Sequence, residues 1–200
     1  EFEAIGMKVS TRVKDNKIKT SVEPAFLKSE TIWKELILED IVKQAGIQSN
    51  KNIKIKIEVD VKPPLSFKTE EKLLLRPFSF YVKCFTSSNL FAGKMHALLF
   101  RKWKNRVKGR DWYDLEWYIR KGISLDVKHF LQRAKDTNDW HEDSITNQQI
   151  LQLLKDKINV VSFENIKEDV VLFIKDEQAL EMWNKTYFDN LIEKIKFENN

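Results

Sequence analysis

The hydrophobic period of this chain changes once, near Phe85, and that change limits the folds it can adopt. Upstream, the segment NIKIKIEVDV alternates without a break. Ile53, Ile55, Ile57, Val59 and Val61 take one set of positions, and Lys54, Lys56, Glu58 and Asp60 take the other. Successive strand side chains point to opposite faces, so the pattern predicts a half-buried strand with two carboxylates on its polar face. Pro63 and Pro64 end it, because proline has no N–H to give to a ladder. A second strand is expected over residues 77–85, with Phe78, Phe80, Val82 and Cys84 on one face. Beyond Phe85 the apolar residues recur three and four apart, as in helices packed on a core. Strands first and helices after them predict an α+β protein, with a mixed β-sheet in the first part and a helical half behind it. The boundary is expected between a β-rich part over residues 1–86 and a helical part over residues 87–200.

The remaining segments fill in this outline. Residues 7–13 and 18–26 read as strands around a polar turn at residues 14–17, with Pro24 suited to an edge. Over residues 30–45 two patterns compete. Ile32, Trp33, Leu36, Ile37 and Ile41 have helical spacing, whereas residues 36–38 also suit a short strand. Ser87, Ser88 and Asn89 offer N-caps for a helix to about Arg101, and a second helix is expected from about Arg110 to Lys121, stopping at Gly122. Ser124 is the expected cap of a third helix. Thr146 with Gln149 has the capping-box pattern, and Ser162 is expected to cap a helix reaching Ile174. A last helix carries Leu180, Trp183, Phe188, Leu191, Ile192 and Ile195.

Composition narrows the classes of function. A 42% apolar share with 12% aromatic residues is enough to fill a core, so the chain is not read as disordered. The net charge of +5 favours a polyanionic partner. Cys84 is the only cysteine, which excludes an intramolecular disulfide and a cysteine-rich metal site; it is expected to be a buried small hydrophobe in a reducing, cytoplasmic compartment. No apolar run approaches the roughly 20 residues of a membrane span. There is no Walker-type glycine loop, no GxGxxG, and no Ser-His-Asp or Cys-His arrangement, which weighs against a P-loop NTPase, a Rossmann enzyme and a protease. The chain opens on Glu1 in mid-element and is expected to be an N-terminally truncated piece.

The densest chemistry lies in LFAGKMHALLFRKWKNRVKGRDWYDLEWYIRKG, which starts at Leu90. Arg101, Lys102, Lys104, Arg106, Lys108 and Arg110 surround Trp103 with no acid among them. Cations interleaved with an aromatic ring fit a nucleic-acid backbone with a base stacked on the ring; an exposed basic loop without a ligand is the plainer reading. Lys94 stands beside the apolar stripe of Phe91, Met95, Leu98 and Leu99, where a lysine either snorkels at a helix edge or offers a point charge to phosphate oxygens. Asp111 and Asp114 fall in the first turn of the next helix, where the helix dipole stabilises carboxylates whether or not they do chemistry. Glu58 and Asp60, two apart on one strand face, could share a divalent metal or simply alternate with lysines on a solvated face. His96 is expected to be a polar residue on the helix face.

AGKMHALLFRKWKNRVKGRDWYDLEWYI closely resembles the AbiEii/AbiGii family of nucleotidyltransferase-like toxins, the toxin half of bacterial type IV toxin–antitoxin and abortive-infection systems. IKIEVDVKPP, LLLRPFSFYVK and VEPAFLKS also resemble that family, so the likeness spans roughly residues 20–122. It implies a polymerase-beta-like nucleotidyltransferase fold. It also implies a nucleoside triphosphate (NTP) and Mg²⁺ as cofactors, an RNA acceptor such as tRNA, and a cognate antitoxin as partner. Lys94 matches the motif lysine that contacts the triphosphate, with Arg106, Lys108 and Arg110 as further phosphate ligands. Asp111 and Asp114 match the RDxxD motif, with the essential acid left open between them. Asp60 occupies the place of a strand carboxylate near the metal, and Glu58 competes for it. The chain departs from the family in lacking a Gly-Ser dipeptide and an Asp-x-Asp pair. Two-metal phosphoryl chemistry needs clustered carboxylates, so this form of the chain is expected to be inactive. The alternatives are a non-catalytic RNA- or antitoxin-binding module with the same fold, and a structural domain whose charges are all solvated.

Overall fold

The computed structural model describes residues 8–13, 31–39, 53–60, 66–76, 78–101 and 107–198. The chain divides into two compact units, Glu1–Pro63 and Pro64–Asn200.

In the first unit β1 (Lys8–Val13), β2 (Thr31–Glu39) and β3 (Ile53–Asp60) form an antiparallel sheet with β2 in the centre. Of the stretch over residues 30–45, Thr31–Glu39 forms a nine-residue strand, and residues 40–45 lie outside the described residues. The strand's register explains why. Leu38, Leu36 and Ile32 fall opposite Ile53, Ile55 and Val59, so the alternation of β3 is matched by its neighbour except where Lys34 falls opposite Ile57. Among the intervening positions Glu35 falls opposite both Lys56 and Arg12, a pairing of opposite charges, while Ile37 and Trp33 fall opposite Lys54 and Glu58. Cross-strand pairs of this kind stabilise a sheet and are unavailable to a helix. The strand expected over residues 18–26 lies outside the described residues.

The second unit opens with a hairpin of β4 (Thr69–Leu74) and β5 (Phe80–Phe85), in register from Thr69 opposite Phe85 to Leu74 opposite Phe80. All described ladders of the first 85 residues are antiparallel and lie in two small sheets, in place of the one mixed sheet expected from the sequence. With only two strands to cover it, Cys84 is half-buried rather than buried.

Six helices follow. α1 (Ser87–Phe100) is capped by Thr86, whose hydroxyl accepts from the Asn89 amide at 3.4 Å. Its apolar residues lie on more than one face and many are buried, including Phe91, Ala92, Met95 and Leu98, so it runs through the core. α2 (Gly109–Arg120) ends in a turn at Gly122, whose φ of 65° lies in the left-handed region that favours glycine. There Gly122 N–H donates to Ile119 and Ile123 N–H donates to Tyr118. Leu125–Asp126 (β6) pairs in parallel with Phe197–Glu198 (β7), drawing the C-terminal segment back onto the core. α3 (Val127–Asp136) is therefore capped by Asp126 and not by Ser124. α4 (Asn147–Val160) carries the expected capping box of Thr146 and Gln149, and α5 (Phe163–Val171) is capped by Ser162 as expected. The last apolar stretch is broken into a 3-10 turn (Glu177–Leu180) and α6 (Lys185–Ile192), because Asn184 caps a new helix by accepting from the Tyr187 amide at 2.8 Å. Phe188 of α6 meets Trp112, Trp183 and Phe163 with ring centroids 5.1, 5.4 and 5.4 Å apart. Among the described residues, no helix is long and apolar enough to cross a membrane.

Candidate active site

Lys94 and the two RDxxD carboxylates stand on two helices that pack through apolar side chains. Phe91 of α1 stacks on Tyr118 of α2 with ring centroids 4.7 Å apart, and Met95, Leu98, Trp112 and Leu115 are buried around them. Lys94 leaves this contact at its edge. Its side chain is 49% exposed, and its Nζ lies 2.7 Å from Asp114 Oδ2. Helix packing thus brings together two groups that lie on separate helices and are joined through the basic connection.

The start of α2 is set by a close backbone approach. A Cβ on Gly109 would collide with the Ile166 carbonyl oxygen of α5 and lie 3.1 Å from Val170 Cβ. The Gly109 N–H, one of the donors a helix start leaves without an intrahelical partner, donates to Asp169 Oδ2 at 2.9 Å. Only glycine allows the contact, and the contact fixes where Lys108, Arg110 and Asp111 stand.

Asp111 is buried, with 5% exposure. Burial pushes its carboxyl above the usual carboxylate range, against the pull of Lys108, Arg101 and Lys94. Lys108 Nζ lies 3.9 Å from Asp111 Oδ1. Burial lowers the Lys108 ammonium, which Asp111 raises and Arg101, Arg110 and Lys94 lower further. Each partner moves toward its neutral form because a 3.9 Å ion pair does not offset the desolvation of both charges. An acid and an amine displaced in this way are suited to accept or hand over a proton.

A cleft of about 640 Å³ opens beside this pair, with Arg101, Lys108, Asp111, Lys157, Ser162 and Asn165 among its walls. Its size falls in the range of small-molecule sites, and its cations suit an anion. Lys94 and Asp114 are not among the described walls. Arg110 is exposed and lies over the Phe173 ring, 4.8 Å from its centroid. Lys104, Arg106 and Trp103 lie outside the described residues. Glu58 and Asp60 belong to the other unit, at alternate positions of β3 opposite Trp33 and Thr31.

The tertiary structure adds groups that spacing did not reveal. His96 is buried, not a polar residue of the helix face, with Nε2 3.0 Å from Thr137 Oγ1 and 3.1 Å from Asp139 Oδ2. Burial and then Arg133 lower its imidazole below the usual value, against Asp139, which raises it. Asp139 is also a wall of the cleft. Glu116 is buried and accepts from Trp183 Nε1 at 2.8 Å and Tyr187 Oη at 2.6 Å. These partners stand 41 to 71 residues apart, beyond the reach of any local pattern.

The match that decides the family covers residues 11–198, against a family model described as nucleotidyl transferase AbiEii toxin, type IV TA system. The chain belongs to the AbiEii family. The match takes in α3 to α6 as well as the motif helices, and so extends past the stretch in which the sequence showed specific likeness. No curated protein and no solved structure matches the chain. An AbiEii toxin is the toxin half of a type IV toxin–antitoxin system, so the family implies an antitoxin partner. Nucleotidyl transfer consumes an NTP, generally with a divalent metal. The cations of the second unit fit the anionic part of that requirement. The metal part is not met there: among the described residues no group of three or more His, Cys, Asp or Glu side chains is arranged to hold an ion, and Asp114 and Asp111 each face a lysine.

Proposed function

We propose that this AbiEii protein transfers a nucleotide from an NTP to an RNA acceptor such as tRNA, with Lys94, Asp111 and Asp114 in the site. The observation that carries the reading is the Lys94–Asp114 contact of 2.7 Å beside the buried Lys108–Asp111 pair. It supports a phosphate-binding role for Lys94, which gains an anionic ligand by exchanging the Asp114 carboxylate for a phosphate oxygen. Lys108, Arg110 and Arg106 are the proposed further cations around the triphosphate. Asp111, already pushed toward its protonated form by burial, is the proposed proton-handling acid. A divalent metal such as Mg²⁺ would supply charge neutralisation at the phosphates. Asp60, with Glu58 beside it in the alternation, is its proposed carboxylate ligand on the three-stranded sheet. These 200 residues contain neither Gly-Ser nor Asp-x-Asp, and the reading includes that they bind triphosphate without turning it over by themselves.

The test is titration of each ribonucleoside triphosphate into the chain by calorimetry, together with incorporation of labelled nucleotide into tRNA by the full-length protein. Lys94→Ala is expected to weaken triphosphate binding about tenfold or more, the value of a charge-assisted hydrogen bond. Unchanged binding and unchanged incorporation in Lys94→Ala and Asp114→Ala would remove these residues from the site. A second reading, a non-catalytic RNA- or antitoxin-binding module, is favoured by the pairing of both carboxylates with lysines. Absence of triphosphate binding in the full-length protein would select it.

A further inference from the structure

The exposed side of α2 carries a second feature, which shares Arg110 with the proposed triphosphate site and whose remaining residues are not among the fixed positions of the motif. Arg110, Tyr113, Trp117, Arg120 and Lys121 follow one another at helical spacing and are all exposed. At 3.6 residues per turn they form one stripe, roughly 16 Å long, with Asp114 at its border. Tyr113 and Trp117 are each 42% exposed, unusual for rings of this size in a chain whose other α2 aromatics, Trp112 and Tyr118, are buried. Both exposed rings are braced from behind. Trp117 meets Tyr118 edge-on at 4.9 Å, and Tyr113 leans on Trp183 at 6.5 Å. A hollow of about 350 Å³ lies between them, lined by Tyr113, Glu116, Trp117, Arg120 and Lys121. The one carboxylate in it, Glu116, is already engaged by Trp183, Tyr187 and Arg120. The stripe therefore presents two rings between cations, with Glu116 and the bordering Asp114 both paired.

We infer that this stripe is a docking surface for a single strand of nucleic acid, its bases stacked on Tyr113 and Trp117 and its phosphates on Arg110, Arg120 and Lys121. Rings one helical turn apart present flat faces that any base can use. The flanking cations match the backbone charge, and a base pair would keep its faces from the rings, so the surface selects unpaired nucleotides. The inference deepens the proposed transfer reaction, because the stripe borders Asp114 and supplies a place for an acceptor end. A protein partner is the competing occupant, and the choice between them rests on charge: Arg110 and Lys121, with Arg120 71% exposed beyond its contact to Glu116, complement phosphates.

The test uses fluorescence anisotropy of the whole chain with a labelled 12-nucleotide oligoadenylate, in ribose and deoxyribose forms, and with a blunt RNA duplex. Tyr113→Ala and Trp117→Ala are each expected to weaken the single strand about tenfold. Tyr113→Phe and Trp117→Phe are expected to bind nearly as wild type, which a merely structural loss would not reproduce. Lys121→Gln should lower the slope of log affinity against log salt by about 0.7. Preference for the ribose form assigns an RNA strand, and equal binding assigns either strand. Binding that survives loss of both rings, or a duplex bound as tightly and through the same residues, overturns the inference. So does unchanged strand binding in a ring variant that has lost the cognate antitoxin, which would give the surface to a protein. Triphosphate titration of the same preparations separates the two proposals. A stripe that binds strands in a chain that binds no triphosphate leaves this inference standing and removes the reaction it was joined to.

Discussion

Replacing Gly109 with alanine should cost the second unit about 2–5 kcal/mol, and the value follows from three opposing effects. The new methyl group runs into the Ile166 carbonyl oxygen and the Val170 Cβ. Overpacking against backbone, which cannot rotate away, costs about 1–3 kcal/mol. Retreat of α2 from α5 then stretches the 2.9 Å hydrogen bond from Gly109 N–H to the Asp169 carboxylate, and hydrogen bonds to a charged group contribute about 1.5–3 kcal/mol. Against these, alanine restricts the unfolded chain and returns about 0.4–1 kcal/mol. A matched control lies in α1. A Cβ on Gly93 would meet Arg133 at 3.7 Å, an ordinary contact, so Gly93→Ala should stabilise by up to about 1 kcal/mol through helix propensity. Urea unfolding followed by tryptophan fluorescence reads both variants, with the m-value as the check that the transition is unchanged in kind. The same retreat moves Asp111 and Lys108, so Gly109→Ala should also weaken triphosphate binding in its folded form while Gly93→Ala does not. A Gly109→Ala midpoint equal to wild type, or a Gly93→Ala cost as large as that of Gly109→Ala, would refute the close-approach argument.

The remaining predictions concern buried carboxylates. Burial raises the Asp111 carboxyl in the folded protein, so ionising it opposes folding: the penalty is absent below the unfolded carboxylate range, grows as pH rises from there to the folded value, and is constant above it. Asp111→Asn should therefore be more stable than wild type near neutral pH, with the difference closing at acid pH, and urea midpoints across that range would show it; a constant difference at all pH values would contradict the burial argument. Glu116→Ala leaves the Trp183 and Tyr187 donors without their acceptor and should cost about 3–5 kcal/mol, with Glu116→Gln costing less, by thermal or urea unfolding. The Tyr187 phenol is pushed up to about 12, by burial and then by its hydrogen bond to Glu116, so Glu116→Gln should bring one phenolate transition to lower pH in an absorbance titration.

Much of the site was legible because its signals are local. The cap at Ser162, the box at Thr146 and Gln149 and the stop at Gly122 each depend on residues within a turn of one another. The candidate residues Lys94, Asp111 and Asp114 come from the likeness of their stretch to the family, which is itself a run of neighbours. Two of the wrong expectations are ones that a distant partner decides. Ser124 lost its cap to Asp126 because β7 returns to pair with β6. His96 is buried because Thr137 and Asp139 reach it from the end of α3 and the loop beyond.

Sequence alone determined the turn from strands to helices near Phe85, the α+β class and the stretch that resembles the family, because period, caps and short motifs are properties of adjacent residues. Tertiary structure alone decided which charges meet. It set Lys94 against Asp114, shifted Asp111 and Lys108 toward neutrality, and left Tyr113 and Trp117 facing water. Charge interaction depends on distance and on the loss of surrounding water, and both are fixed only when the helices have packed.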